Sequence, residues 1–157
     1  KLDQAIIPVR YRMEMVSRAL IAEPFFALSL VEIERPGPQY VVDTMRILKE
    51  RYPQAELVYL MGGDSLRDLP QWHRPQHFLS YCDAIGVMRR WHDEVQMEVL
   101  EKELAGISEK VLFIPTPIIE ISSSDIRDRV KEKRPFRYFL PEAVYQYILE
   151  KRLYRAE

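Results

Sequence analysis

Val111-Leu112-Phe113-Ile114-Pro115-Thr116-Pro117-Ile118-Ile119-Glu120-Ile121-Ser122-Ser123-Ser124-Asp125-Ile126-Arg127 runs from an apolar extended stretch, through two prolines, into a serine triplet that opens a helical pattern. Ile126 and Val130 stand four apart, on one helix face. Ser122 followed three residues later by Asp125 reads as a capping box. Such a helix start has unpaired N–H groups and the positive end of the helix dipole, so it suits either an ordinary cap or a bound phosphate. The serines alone leave both readings open. Arg127 favours the second, because it brings a planar five-donor fork to the same first turns.

Working outward, strands and helices alternate. Phe25 to Ile33 reads as a strand ended by Arg35-Pro36-Gly37-Pro38, and Glu56 to Met61 as a near-continuous apolar strand of the kind buried on both faces of a parallel sheet. Ala84 to Met88 and the run from Val111 supply two more. Helices are expected from about Pro8 (apolar face Met13, Val16, Leu20, Ile21) and over Tyr40 to Arg51 (Val42, Met45, Ile47 and Leu48 inward). Others are expected near Gln76 to Tyr81, over about Asp93 to Ala105, after the serine triplet, and over Pro141 to Leu153 (Val144, Tyr147, Ile148, Leu153 buried). That order implies βαβ units, hence an α/β fold with a mostly parallel sheet. Ligands of such sheets gather beyond the carboxyl ends of the strands. Here those ends hold Pro36-Gly37, Gly62 to Asp64, Arg89 and Ser122 to Ser124.

Composition narrows the function classes. The 157 residues suffice for one domain, 1–157, with a real core, and 47% hydrophobic with 30% charged residues is ordinary for a globular chain. A net charge of −1 gives no general field for nucleic acid or an anionic membrane. The single cysteine, Cys82, excludes an internal disulfide and fits a reducing compartment. With no apolar run near the roughly 20 residues of a membrane span, the expectation is a soluble cytoplasmic protein.

Several residues invite chemistry. Gly62-Gly63-Asp64 permits a tight turn or the close approach of a ligand, with a carboxylate able to accept from ribose hydroxyls; a plain capped turn is the alternative. Trp72 lies in a polar, proline-bounded loop, Gln71-Trp72-His73-Arg74-Pro75, where an exposed indole would offer a stacking platform to a flat heteroaromatic ring. His73 and His77 are four apart, but Pro75 between them disfavours the helix that would align them on a metal. The charges from Asp93 to Lys110 are most simply a solvated face, and Arg89 is a candidate partner for polyphosphate.

Ile121-Ser122-Ser123-Ser124-Asp125-Ile126-Arg127 resembles the I-S-S-T-x-I-R signature of nucleotidyltransferases that make dinucleotide cofactors, serine replacing threonine at the fourth position. Pro36-Gly37-Pro38-Gln39-Tyr40-Val41-Val42-Asp43-Thr44 resembles the P-G-P-S-Y-T-V-D-T segment of the nicotinate-nucleotide adenylyltransferases, with Gln39 for serine and Val41 for threonine. The likeness covers nearly the whole chain. It implies a Rossmann-like doubly wound parallel sheet. It places ATP at Gly62, Asp64, Ile121, Ser122, Ser123, Ser124, Arg127 and Arg89, with Arg127 the catalytic residue. The nicotinate nucleotide falls to Tyr40, Val41, Trp72 and His73: the tryptophan stacks on the pyridine, while main-chain groups at 41 and 73 hold its carboxylate. Val41 keeps the N–H but lacks the hydroxyl, so preference for the acid over the amide substrate is open.

The family's opening G-x-F-D-P-x-H-x-G-H stretch, whose histidines bind ATP phosphates, is not among these residues. Lys1 resembles the lysine ending the family's P-P-H-K loop, so the chain is expected to be a fragment lacking N-terminal strands, with open sheet edges. The implied activity is transfer of the adenylyl group of ATP, with Mg2+, to nicotinate mononucleotide. The alternatives are an adenylyltransferase acting on nicotinamide mononucleotide or phosphopantetheine, and a non-catalytic nucleotide-binding module. No nucleic-acid or membrane partner is expected, and a homo-oligomer is compatible with the sequence.

Overall fold

The computed structural model describes residues 7–88, 95–117 and 119–155. In chain order its elements are α1 (Val9–Leu20), α2 (Val31–Glu34), α3 (Val41–Arg51), β1 (Val58–Gly62), α4 (Gly63–Asp68), a 3-10 turn at Leu69–Gln71, α5 (Pro75–Tyr81) and β2 (Ala84–Met88). There follow α6 (Met97–Glu103), α7 (Ile107–Lys110), β3 (Val111–Ile114), α8 (Ser123–Lys131), a 3-10 turn at Arg137–Phe139 and α9 (Glu142–Glu150). The chain divides into two compact units, one from Leu30 to Ile118, the other formed by the segments on either side of it.

The middle unit is a parallel three-stranded sheet of order β1-β2-β3. Leu60 lies opposite Gly86, and Gly86 opposite Leu112. Alternation sends Met61, Ile85 and Val87 to one face, where they form a core with Val42 and Met45 of α3, Phe78 and Leu79 of α5, and Leu66 and Leu69. On the opposite face Leu60 is 56% exposed, with Val58 and Leu112 exposed beside it. The expected burial of β1 on both faces thus holds on one only, because α3 and α5 both pack on the first. A Cβ at Gly86 would sit 2.6 Å from Leu60 Cδ2 and 2.7 Å from Ile114 Cδ1, the tips of two flexible side chains that have closed over the glycine and would have to swing aside.

Two side chains tie the ends of these elements. Lys110 Nζ donates to the carbonyls of Leu79 (2.8 Å) and Cys82 (2.6 Å), closing the C-terminus of α5. Asp83 accepts from Lys49 Nζ and from the Leu57 N–H, both at 2.7 Å. The lysine, then the amide, hold its carboxyl below the usual aspartate range. A depressed folded-state pKa gives stability that is present above the unfolded value, about 3.9, and lost as pH falls through the folded one. Asp83→Asn is therefore expected to flatten the acid limb of the stability curve below about pH 4, read as melting temperature against pH. An unchanged limb would remove Asp83 from acid unfolding. Burial pushes the Cys82 thiol up to about 12, so it packs as a small protonated apolar group.

In the other unit α1 packs on α9, joined by α8. Val144, Tyr147, Ile148 and Leu153 are buried as the sequence suggests, together with Ile126 and Val130 of α8. The face α1 contributes differs from the one expected. Ile7, Tyr11, Met15 and Ala19 pack on this core, while Val16 and Ile21 are exposed. Arg18, paired with Glu14 at 2.7 Å, lies over the Tyr147 ring at 4.4 Å and fixes that rotation.

Phe25 to Ile33 is not a strand. It runs as turn and irregular chain to α2, Phe25 is 94% exposed and Phe26 66%, and no strand pairs with it among the described residues. The charged helix is shorter than expected, α6 being followed by a second turn, α7, after Gly106 turns the chain at φ 83°. Glu101 accepts from the N–H groups of Gly106 (2.7 Å) and Ser108 (2.9 Å), so one charge of that stretch is a cap and not merely solvated.

Candidate nucleotide site

Within the middle unit a cavity of about 400 Å³ is lined by Tyr40, Val41, Tyr59, Trp72, His73 and Phe78, with residues adjoining them. All four positions expected at the nicotinate end of the substrate line it. Local chemistry puts them there. Gly37, at φ 87°, lets the chain reverse between two prolines. Arg35 then pairs with Asp43 in the first turn of α3 (2.7 Å) and donates to the Tyr40 carbonyl (3.2 Å). The Gln39 amide donates to the carbonyls of Arg35 (2.8 Å) and Gly37 (2.9 Å). The segment presenting Tyr40 and Val41 is therefore pinned by a guanidinium and an amide. In the sequence Arg35 reads only as part of the strand-ending Arg35-Pro36-Gly37-Pro38, and an aspartate five residues beyond Pro38 was the available signal of its role.

Trp72 follows the 3-10 turn, its N–H donating to Leu69 at 3.0 Å. Its indole is half-buried, not exposed as expected. It meets Phe78 at 5.5 Å and the Tyr59 ring edge-on at 6.2 Å, between centroids. The polar sequence neighbours hid these apolar spatial ones. The ring still lines the cavity, so its packing fixes its plane. His73 stacks on Tyr40, centroids 4.0 Å apart and planes 23° from parallel. Arg74 takes a left-handed φ of 51° and Pro75 opens α5, leaving His73 outside the helix that carries His77. Among the described residues no three His, Cys, Asp or Glu side chains gather as a metal site.

Gly62 ends β1 at φ −85° and ψ 163°, a conformation open to any residue, and an added Cβ would meet only the Met88 carbonyl oxygen, at 4.0 Å. Neither turn geometry nor packing calls for glycine there. Asp64 is exposed in the first turn of α4, 3.3 Å from Arg67.

In the other unit Ser122 caps α8, its Oγ accepting from the Asp125 N–H at 3.0 Å. Only half of the expected capping box forms, because the Asp125 carboxylate pairs with Arg129 at 2.8 Å. Ile121, Ser122, Ser123 and Ser124 are exposed, and Arg127 Nη2 donates to Ser124 Oγ at 3.1 Å. The guanidinium therefore lies back along the first turn, toward the open helix start. Arg89 lies outside the described residues.

The cytidylyltransferase-like family model matches residues 1–129. A probable nicotinate-nucleotide adenylyltransferase of Thermomicrobium roseum is 41% identical over 155 residues, spanning 99% of this chain and 72% of the relative. The chain belongs to the nicotinate-nucleotide adenylyltransferase family. The nicotinate-nucleotide adenylyltransferase of Bacillus subtilis is 37% identical over 147 residues, covering 93% of this chain and 71% of its own. Among solved structures, Plasmodium falciparum nicotinic acid mononucleotide adenylyltransferase complexed with NaAD matches with a TM-score of 0.71 at 18% identity, over 98% of this chain and 78% of that one. That likeness bears on fold alone, and the parallel α/β sheet is the Rossmann-like arrangement of nucleotidyltransferases. For this adenylyltransferase family the general activity is adenylyl transfer to a mononucleotide. Among the described residues no helix is long and apolar enough to cross a membrane.

Proposed function

We propose that this adenylyltransferase joins the adenylyl group of ATP to nicotinate mononucleotide, forming nicotinate adenine dinucleotide and pyrophosphate. The observation that carries the reading is the aromatic cavity with Tyr40, Val41, Trp72 and His73 all in its wall. A flat pyridine suits a slot between fixed rings, and the Val41 main chain lies at the same wall to meet a carboxylate. The mononucleotide phosphate attacks the α-phosphorus of MgATP, one P–O bond forms, the α–β bond breaks, and pyrophosphate departs. No protein nucleophile takes part. Catalysis comes from positioning and from neutralising charge that grows on the leaving phosphates. Arg127 and the amides of the Ser122–Ser124 turn meet that charge, and Gly62 and Asp64 receive ribose. Magnesium enters with the nucleotide as substrate.

Steady-state pyrophosphate release with nicotinate mononucleotide, nicotinamide mononucleotide and phosphopantetheine as competing acceptors tests the assignment. The highest kcat/KM is expected with the acid. Val41, without the hydroxyl of the family's threonine, is the one feature favouring the amide, and a preference for nicotinamide mononucleotide would overturn the acid assignment. ATP binding without pyrophosphate release would mark a non-catalytic module.

Gly62→Ala separates structure from substrate contact. Its backbone and surroundings accept a methyl, so stability is expected to change by less than about 1 kcal/mol. If ribose approaches the glycine closely, KM for ATP rises about tenfold. An unchanged KM would take Gly62 out of the site.

A further inference from the structure

The C-terminal end of α8 borders a second cavity, of about 680 Å³, built from residues that the proposed reaction does not use. Its apolar lining includes Val130 and Phe136, both buried, with Tyr145 and Leu149 of α9. The Phe136 and Tyr145 rings lie 4.9 Å apart at 55°. Five cations complete the wall. Two have carboxylate partners, Arg134 with Glu132 at 2.7 Å and Arg137 with Glu142 at 3.1 Å. The other three, Lys131, Lys133 and Arg155, have no carboxylate partner among the described residues.

Backbone geometry singles out Lys133. The Arg134 N–H donates to Arg129 (2.8 Å) and the Lys133 N–H to Val130 (3.2 Å), the paired bonds of a Schellman turn, with Lys133 at φ 58°. That left-handed position is one glycine normally fills, since a side chain there is strained. Arg152 at φ 51° does the same after α9, so a basic residue opposite a helix's negative end accounts for part of the pattern. It does not account for a cavity, and Lys133 lines one.

The volume matches a small ligand, the floor suits an apolar or aromatic body, and three cations with no carboxylate partner among the described residues match the charge of a short polyphosphate. We propose that this cavity binds a nucleoside polyphosphate, its base against Phe136 and Tyr145 and its phosphates toward Lys131, Lys133 and Arg155.

Calorimetric titration of the whole chain with ATP, without acceptor, tests this by stoichiometry. Two ATP per chain are expected, falling to one in the double variant Lys133→Glu/Arg155→Glu with pyrophosphate release at saturating ATP unchanged. Arg127→Ala should spare this second site, so its loss can be told from failure of the proposed reaction. Lys133→Gly provides an independent check, because relieving the left-handed strain should raise the melting temperature while ATP binding at this site weakens about tenfold. Two ATP per chain in the double variant, or a parent that binds one ATP per chain and keeps it in the double variant, would overturn the proposal. Inorganic tripolyphosphate binding here as tightly as ATP would overturn the place given to the base.

Discussion

Arg127→Ala is expected to slow pyrophosphate release by about 10²–10³-fold, the usual loss when one preorganised donor to a transition-state charge is removed. Stability should fall far less than the rate. The bond from Arg127 to the exposed Ser124 hydroxyl in the first turn of α8 is a surface contact of a kind worth under about 1 kcal/mol. The helix itself is held elsewhere, by the Ser122 cap and by buried Ile126 and Val130. Arg127→Lys keeps the charge but loses the fork, so it should recover only part of the rate. Stopped-assay kinetics beside thermal melts distinguish the outcomes. Kinetics in Arg127→Ala equal to the parent would remove the residue from the mechanism, and a large fall in melting temperature would show that it acts through the fold.

Trp72→Ala should act on both properties. Stacking on an aromatic ring is worth about 1–3 kcal/mol per base, so KM for the mononucleotide should rise about 10–100-fold while KM for ATP stays. Because the indole also rests on Phe78 and Tyr59, truncation should cost stability, on the order of 2 kcal/mol for a half-buried ring. Trp72→Phe restores most of the packing with a smaller platform. It should melt near the parent yet keep a raised KM. A KM that follows the melting temperature through the two variants would mean that Trp72 is core alone.

Much of this arrangement could be read locally. β2 occupies the residues its apolar run suggested, the buried stripe of α9 is the one its spacing indicated, and Ser122 caps α8. These features depend on neighbours in sequence. The misreadings depend on neighbours in space. Phe25 to Ile33 has the composition of a strand, but a strand exists only where another pairs with it, and none does among the described residues. On α1 two apolar stripes compete, and packing against α9, with Arg18 over Tyr147, decides for Tyr11, Met15 and Ala19. Trp72 sits between polar residues in the chain and between aromatic ones in the fold. Arg35 reads in the sequence as part of a strand stop alone, because its partner, Asp43, is eight residues on and meets it only after Gly37 has turned the chain.

The chain's two tryptophans, Trp72 and Trp91, allow a direct measurement of substrate at the aromatic cavity. In the variant Trp91→Phe all indole emission comes from Trp72, and titration with nicotinate mononucleotide should quench it saturably, more tightly than nicotinamide mononucleotide does. Emission that stays unchanged to saturating mononucleotide, or an equal quench from Trp91 in Trp72→Phe, would contradict the placement of the pyridine against this ring.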